Sequence, residues 1–164
     1  MHSRIFQIEA SPVSECDYIS TGDFEDGFVG QVADYVADSD NRQDDITCLL
    51  GDFDNVTDNN SLLIGCSLYE YNSNEESIIF RTGFKEAYFK AKFESLQEIT
   101  SQLTLTDFAN SPYMVYQIEK LLGEKFGFYI QIKDNGYQSL DEFIRSNIKE
   151  NTKYYFGNTL DYHS

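Results

Sequence analysis

Apolar positions along this chain recur at two periods, and the switches between them mark out the elements. Over residues 4–10, Phe6 and Ile8 stand two apart, with Gln7 and Glu9 on the opposite face. That alternation predicts a half-buried strand, ended by Pro12. The period then changes. Phe28, Val32, Tyr35 and Val36 fall on one side of a helical projection, predicting a helix over 24–38. Asp38-Ser39-Asp40-Asn41 breaks that pattern. Asp44 can cap a short second helix that turns Ile46, Leu49 and Leu50 inward and stops at Gly51. Residues 52–61, rich in Asp, Asn and Thr, read as loop.

Two strands are expected over 62–71 and 77–81, joined by the hairpin Asn72-Ser73-Asn74-Glu75-Glu76. Gly65 leaves a short helix at 62–67 as the other reading of the first of them. The longest helix is predicted over 84–103, with Phe89, Phe93, Leu96, Thr100 and Leu103 as its inner stripe and Lys85, Lys90, Lys92 and Glu94 largely off it. Ser111-Pro112 starts another helix, because proline is tolerated at the first helical position; it runs to Leu122, and Gly123 stops it. Phe126, Phe128, Ile130 and Ile132 alternate as a strand, and Asp134-Asn135-Gly136 turns the chain. Ser139-Leu140-Asp141-Glu142 is a capping box that opens a helix to Lys149. The aromatic run from Lys153 reads as a final strand. Helices and strands are mixed without a regular βαβ alternation, so the expected class is α+β, helices packed on a small antiparallel or mixed sheet. A chain of 164 residues fits one domain, with an acidic subdomain over 1–60 as the one internal division to look for.

Composition makes this pattern a folded one. Hydrophobic residues are 41% of the chain, with 13 Phe and 12 Tyr, whereas acidic disordered chains are poor in aromatics. Tyr69, Tyr71, Tyr154 and Tyr155 are expected either as exposed binding aromatics or as core residues with the hydroxyl at the edge. The three cysteines, Cys16, Cys48 and Cys66, are odd in number and form no close pair. With no apolar stretch of membrane-spanning or signal-peptide length, this points to a reducing cytoplasm.

Charge adds the strongest asymmetry. Residues 1–80 hold 17 acids against Arg4 and Arg42, a net of −15, while residues 81–164 hold 11 acids against 10 bases, a net of −1. Such a surface repels nucleic acid and anionic membrane and attracts cationic partners. Helix capping and turn formation account for many of the acids but not for the missing bases, since ordinary helices interleave Lys with Glu. The expectation is a non-enzymatic cytoplasmic interaction protein. Its acidic half, Asp23, Glu25, Asp26, Asp34, Asp38, Asp40, Asp44, Asp45, Asp52, Asp54 and Asp58, would meet a basic protein surface, without direct binding to nucleic acid or membrane. In size and acidity the chain is also similar to the anti-restriction DNA mimics of plasmids and phages. That likeness is one of composition and covers no motif; it implies rows of carboxylates standing in for phosphates. A hydrolase working through two carboxylates is the third reading.

Other chemistry has little to stand on. The two histidines, His2 and His163, flank the chain and would meet only if the first and last strands pair. Gly65-Cys66-Ser67 has no interior histidine to activate it. Gly22 and Gly27 are spaced as in a phosphate loop, but Phe28-Val29 follows where Lys-Ser/Thr is needed. Oxygen-rich stretches at 38–45 and 52–58 could serve calcium, yet Arg42 stands at the fifth position of the first, and Val56 and Thr57 interrupt the second. No cofactor or metal is therefore expected.

Overall fold

A computed structural model describes residues 2–58, 68–122, 126–133 and 135–164. The expectations for 62–67, including Gly65-Cys66-Ser67, and for Gly123 and Asp134 lie outside the described residues.

Among the described residues, seven strands form one mixed sheet, in keeping with the α+β expectation. They are β1 (His2–Glu9), β2 (Tyr35–Asp38), β3 (Tyr69–Asn72), β4 (Ser77–Phe80), β5 (Tyr129–Ile132), β6 (Gly136–Ser139) and β7 (Lys153–His163). The order is β3-β4-β7-β1-β5-β6, and β2 pairs with the end of β7 that β4 leaves free. Only β1 and β5 run parallel. The first and last of these strands are therefore central neighbours, and β1 and β2 share one sheet with the later strands.

A bulge in β7 decides which face each core residue takes. Phe6 pairs with Thr159 but Ile8 pairs with Phe156, so β7 carries one extra residue there. In a regular strand Tyr154, Phe156, Leu160 and Tyr162 would share a face. The bulge instead sends Tyr154 and Phe156 to one side and Leu160 and Tyr162 to the other. Gly157 is required here, because a Cβ would sit 2.2 Å from Oε1 of Gln7. Gln7 is itself buried, accepts from the backbone N–H of Ile19 and Asn158 (3.1 Å each) and donates to the Asp17 carbonyl at 2.9 Å.

Helices cover the first face. α1 (Arg42–Asp58), α2 (Phe84–Gln102) and the short α5 (Leu140–Glu142), which widens into a π turn over Phe143–Asn147, pack Ile46, Leu49, Phe53, Phe84, Phe143 and Ile144 on the sheet. The segment between β1 and β2 covers the second face with Ile19, Phe24, Phe28 and Ala33.

Several expectations are corrected. Residues 24–38 are not a helix: Gly27 and Gly30 take positive φ (106° and 91°), the Phe28 carbonyl closes only an isolated turn, and Tyr35–Asp38 is drawn into the sheet by β7. The second helix does not stop at Gly51, and 52–58 is not loop. Phe53, fully buried edge-to-face against Phe80 and Phe84 at 5.7 and 5.3 Å, holds those polar turns helical despite their composition. On α2 the buried positions are Phe84 and Tyr88, one row away from the expected stripe, and Phe93 is 58% exposed. The helix at 139–149 closes at Asn147. Two elements were not anticipated: α3 (Leu105–Asn110), opened by a reciprocal Thr104–Asp107 cap, and the edge strand β6. Beyond these, α4 (Pro112–Leu122) starts at its proline as expected.

Candidate functional site

The eleven acidic residues do not act as one group. Asp23 closes a capping box on the turn Thr21–Phe24, with its carboxylate 2.7 Å from the Ser20 amide. Asp45 is a correction to the expected surface: it is buried and cannot meet a partner. Its carboxylate takes Arg4 Nε at 2.5 Å, Thr159 Oγ1 at 2.7 Å and the Ser39 hydroxyl, tying α1 to β1 and β7. Asp54 accepts from the Tyr69 hydroxyl at 2.7 Å. Asp52 turns toward a cavity described below. Asp52, Asp54 and Asn55 ride on α1, so the calcium-loop geometry considered for 52–58 does not arise; Asp58 ends the same helix.

What remains is a shorter band. Glu25 and Asp26 follow the Thr21–Phe24 turn, which packs on β2. Asp34 precedes β2 and Asp38 ends it; Asp40 precedes α1 and Asp44 lies in its first turn. All six are exposed. Asp44 accepts from the Asn41 amide at 2.6 Å, and Asp34 lies 3.4 Å from His163 Nδ1. Both arginines of the first eighty residues are engaged elsewhere: Arg4 bridges Asp45 and Asp161, and Arg42 holds Glu76 and the carbonyls of Gly157 (2.5 Å) and Phe156 (3.0 Å).

The two histidines do meet. His2 and His163 are register partners of β1 and β7, their rings 5.1 Å apart, and Tyr35 stacks on His163 at 5.4 Å. Each faces a carboxylate, His2 at 2.8 Å from Asp161 and His163 beside Asp34. Of the tyrosines singled out from the sequence, Tyr69, Tyr71 and Tyr154 serve the core, and Tyr155 lies beside Lys153. Tyr154 is buried, its hydroxyl accepting from the Lys149 amide (2.8 Å) and donating to the Asn147 carbonyl (3.2 Å), and Tyr69, Tyr71 and Tyr155 are half-buried.

A cavity of about 470 Å³ lies among α1, α2, α4, α5 and the segment Phe126–Phe128 that leads into β5. Asp52 enters from α1, Tyr88, Lys92 and Ile99 from α2, Gln117, Lys120 and Leu121 from α4. Asn55 of α1, Phe126 to Phe128 ahead of β5, and Leu140 and Asp141 of α5 complete the wall. At its base Asp141 is nearly buried. It accepts from the Tyr88 hydroxyl at 2.7 Å and takes both oxygens to Lys92 Nζ, at 2.5 and 2.6 Å. Burial, reinforced by the Asp141 charge, pushes the Tyr88 phenol far up, so it stays a donor. Asp52 keeps solvent on one side. Desolvation on its cavity side raises its carboxyl above the ordinary aspartate range, and Lys120 and Lys92 oppose that shift. The sequence carried a partial signal for this cluster: Tyr88 and Lys92 are one helical turn apart, but nothing local pairs them with Asp141.

The wall holds two carboxylates, Asp52 and Asp141, of which Asp141 is paired with Lys92 and accepts from Tyr88. Among the described residues, no group of three or more His, Cys, Asp and Glu side chains could hold a metal ion, and no helix is long and apolar enough to cross a membrane. Comparison with protein families, curated proteins and solved structures finds no match to this chain.

Proposed function

We propose that this is a non-enzymatic interaction protein of the cytoplasm that docks on a basic protein surface through the band formed by Glu25, Asp26, Asp34, Asp38, Asp40 and Asp44. One observation carries the reading: both cations of the first eighty residues are spent inside the fold, on Asp45, Asp161 and Glu76, while these six carboxylates face water. Like charges gathered without compensation repel one another, and a cationic partner relieves that repulsion. The exposed free thiols of Cys16 and Cys48 suit a reducing compartment. Charge on the outer edge of β2 also guards it against edge-to-edge pairing; that role explains Asp38 but not Glu25, Asp26 or Asp40, which lie off the strand.

The test uses an oligolysine peptide as probe, followed residue by residue in NMR spectra at low and high salt. Shifts should concentrate on 25–44 and fade as salt rises past the point where the Debye length falls below ~8 Å. The quadruple change Glu25→Gln, Asp26→Asn, Asp38→Asn, Asp40→Asn should remove them, and Glu94→Gln with Glu119→Gln should not. Shifts spread evenly over all acids, or unchanged by salt, would overturn the reading. Competition by duplex DNA for a basic DNA-binding enzyme would narrow the partner to the DNA-mimic class.

A further inference from the structure

The cavity between α1, α2 and α4 carries charge that the fold itself does not use. Lys92 and Asp141 close on each other, with Tyr88 as a third member, and that cluster is complete. Asp52 and Lys120 are different. They enter the same space from different helices, and Lys120, and more weakly Lys92, acts electrostatically on Asp52, yet no ion pair joins Asp52 to either among the described residues. The rest of the wall is mostly apolar, with Ile99, Leu121, Phe126, Phe128 and Leu140 beside the amides of Asn55 and Gln117. About 470 Å³ lies in the range of small-molecule sites, which are mostly apolar with a few polar groups that fix orientation.

We infer that this cavity binds a small zwitterion with an apolar body, of which an α-amino acid with an aromatic or large aliphatic side chain is the simplest form. The ammonium group would meet Asp52 and the carboxylate Lys120, while the side chain fills the space lined by Phe126, Phe128 and Leu140. Each sign of charge on the ligand answers one that the protein leaves open. A cation alone would leave Lys120 uncompensated, and an anion alone would leave Asp52 so. Gln117 lies one helical turn before Lys120 and shares its face of α4, adding an amide beside the carboxylate position. A zwitterion also brings no net charge to a chain of net charge −16, which would repel a simple anion.

Calorimetric titration of the intact protein with L-phenylalanine tests this, set against 2-phenylethylamine, 3-phenylpropionate and glycine, which lack the carboxylate, the ammonium and the body in turn. L-Phenylalanine should bind at least about tenfold tighter than any of the three, tenfold being about 1.4 kcal/mol. Asp52→Asn should erase its advantage over 3-phenylpropionate, and Lys120→Met its advantage over 2-phenylethylamine. Both residues are solvent-exposed, and unchanged circular dichroism would confirm that the variants fold. No heat with L-phenylalanine or L-leucine at millimolar concentration would overturn the proposal. So would equal binding of the one-charge analogues, or an affinity that Asp52→Asn leaves intact. The ligand series on the unaltered protein decides the question even if a variant fails to fold.

Discussion

The sheet and the helical projection formed by the far half of α2 with α3 and α4 use the same kinds of side chain to opposite ends. Along the sheet, Phe6, Phe24, Phe28, Phe53, Phe80, Phe84 and Phe143 are all but inaccessible to solvent. On the projection, Phe93, Phe108 and Tyr113 are 58%, 59% and 63% exposed and Leu105 is 84% exposed, and neither α3 nor α4 buries a residue fully. The difference is one of partners. Each sheet residue is gripped by a neighbouring strand and by a helix or the 19–33 segment above it, so its ring meets other rings edge-to-face. The projection packs mainly on α2 and on itself, with Tyr116 reaching the Phe126 ring at 6.2 Å. An aromatic residue stabilises in proportion to what closes around it, and its mere presence in an amphipathic pattern says little about that.

The sharpest way to break this contrast is to remove a ring from the sheet side. Phe80 is fully buried among Phe53, Phe84 and Tyr154, so Phe80→Ala should cost about 3 to 5 kcal/mol in urea denaturation, a large share of the stability of an ordinary domain. Next comes the polar anchor of α1. Asp45→Asn keeps the shape but loses an acceptor for Arg4, Ser39 and Thr159, and should cost about 2 to 4 kcal/mol by the same measurement. On the projection, Glu94→Gln, which opens an exposed ion pair to Lys90 at 3.8 Å, should cost no more than about 0.5 kcal/mol.

A pH scan reaches the sheet without mutation. Burial pushes the Tyr162 phenol up to about 12, with its hydroxyl 2.5 Å from the Gly127 carbonyl. The folded state favours the neutral phenol. Its contribution is fully present below the unfolded value near 10 and is lost as pH rises toward about 12. Stability should fall by about 2 to 3 kcal/mol across that window, and Tyr162→Phe should flatten that part of the curve. The smallest effect is expected on the projection: Phe108→Ala should change stability by less than about 0.5 kcal/mol, since the ring is mostly in water already. A cost near that of Phe80→Ala would mean that the two regions are not distinct in the way described.

Short-range signals were enough for some elements. The alternation around Phe6 and Ile8 marks β1, the run Asn72–Glu76 marks the β3–β4 hairpin, and Pro112 marks the start of α4, because strand alternation, turn chemistry and proline geometry act within a few residues. Pattern alone went astray where a distant neighbour outvoted it. The helical spacing of Phe28, Val32 and Tyr35 yielded to β7, although Gly27 and Gly30 were a readable warning. The polar turns after Gly51 stayed helical for the sake of Phe53.

The same division runs through function. The crowding of carboxylates in the first half, and the want of cations beside them, are written in the sequence and need no structure. Which of those carboxylates face water is a tertiary matter. Asp44 and Asp45 are adjacent and chemically alike, yet one points outward and the other holds Arg4 and Thr159 inside. The cavity belongs wholly to the second kind of fact. It gathers side chains between Asp52 and Asp141, and only the packing of helices distant in sequence brings Lys92 to Asp141 and faces Asp52 and Lys120 into one space.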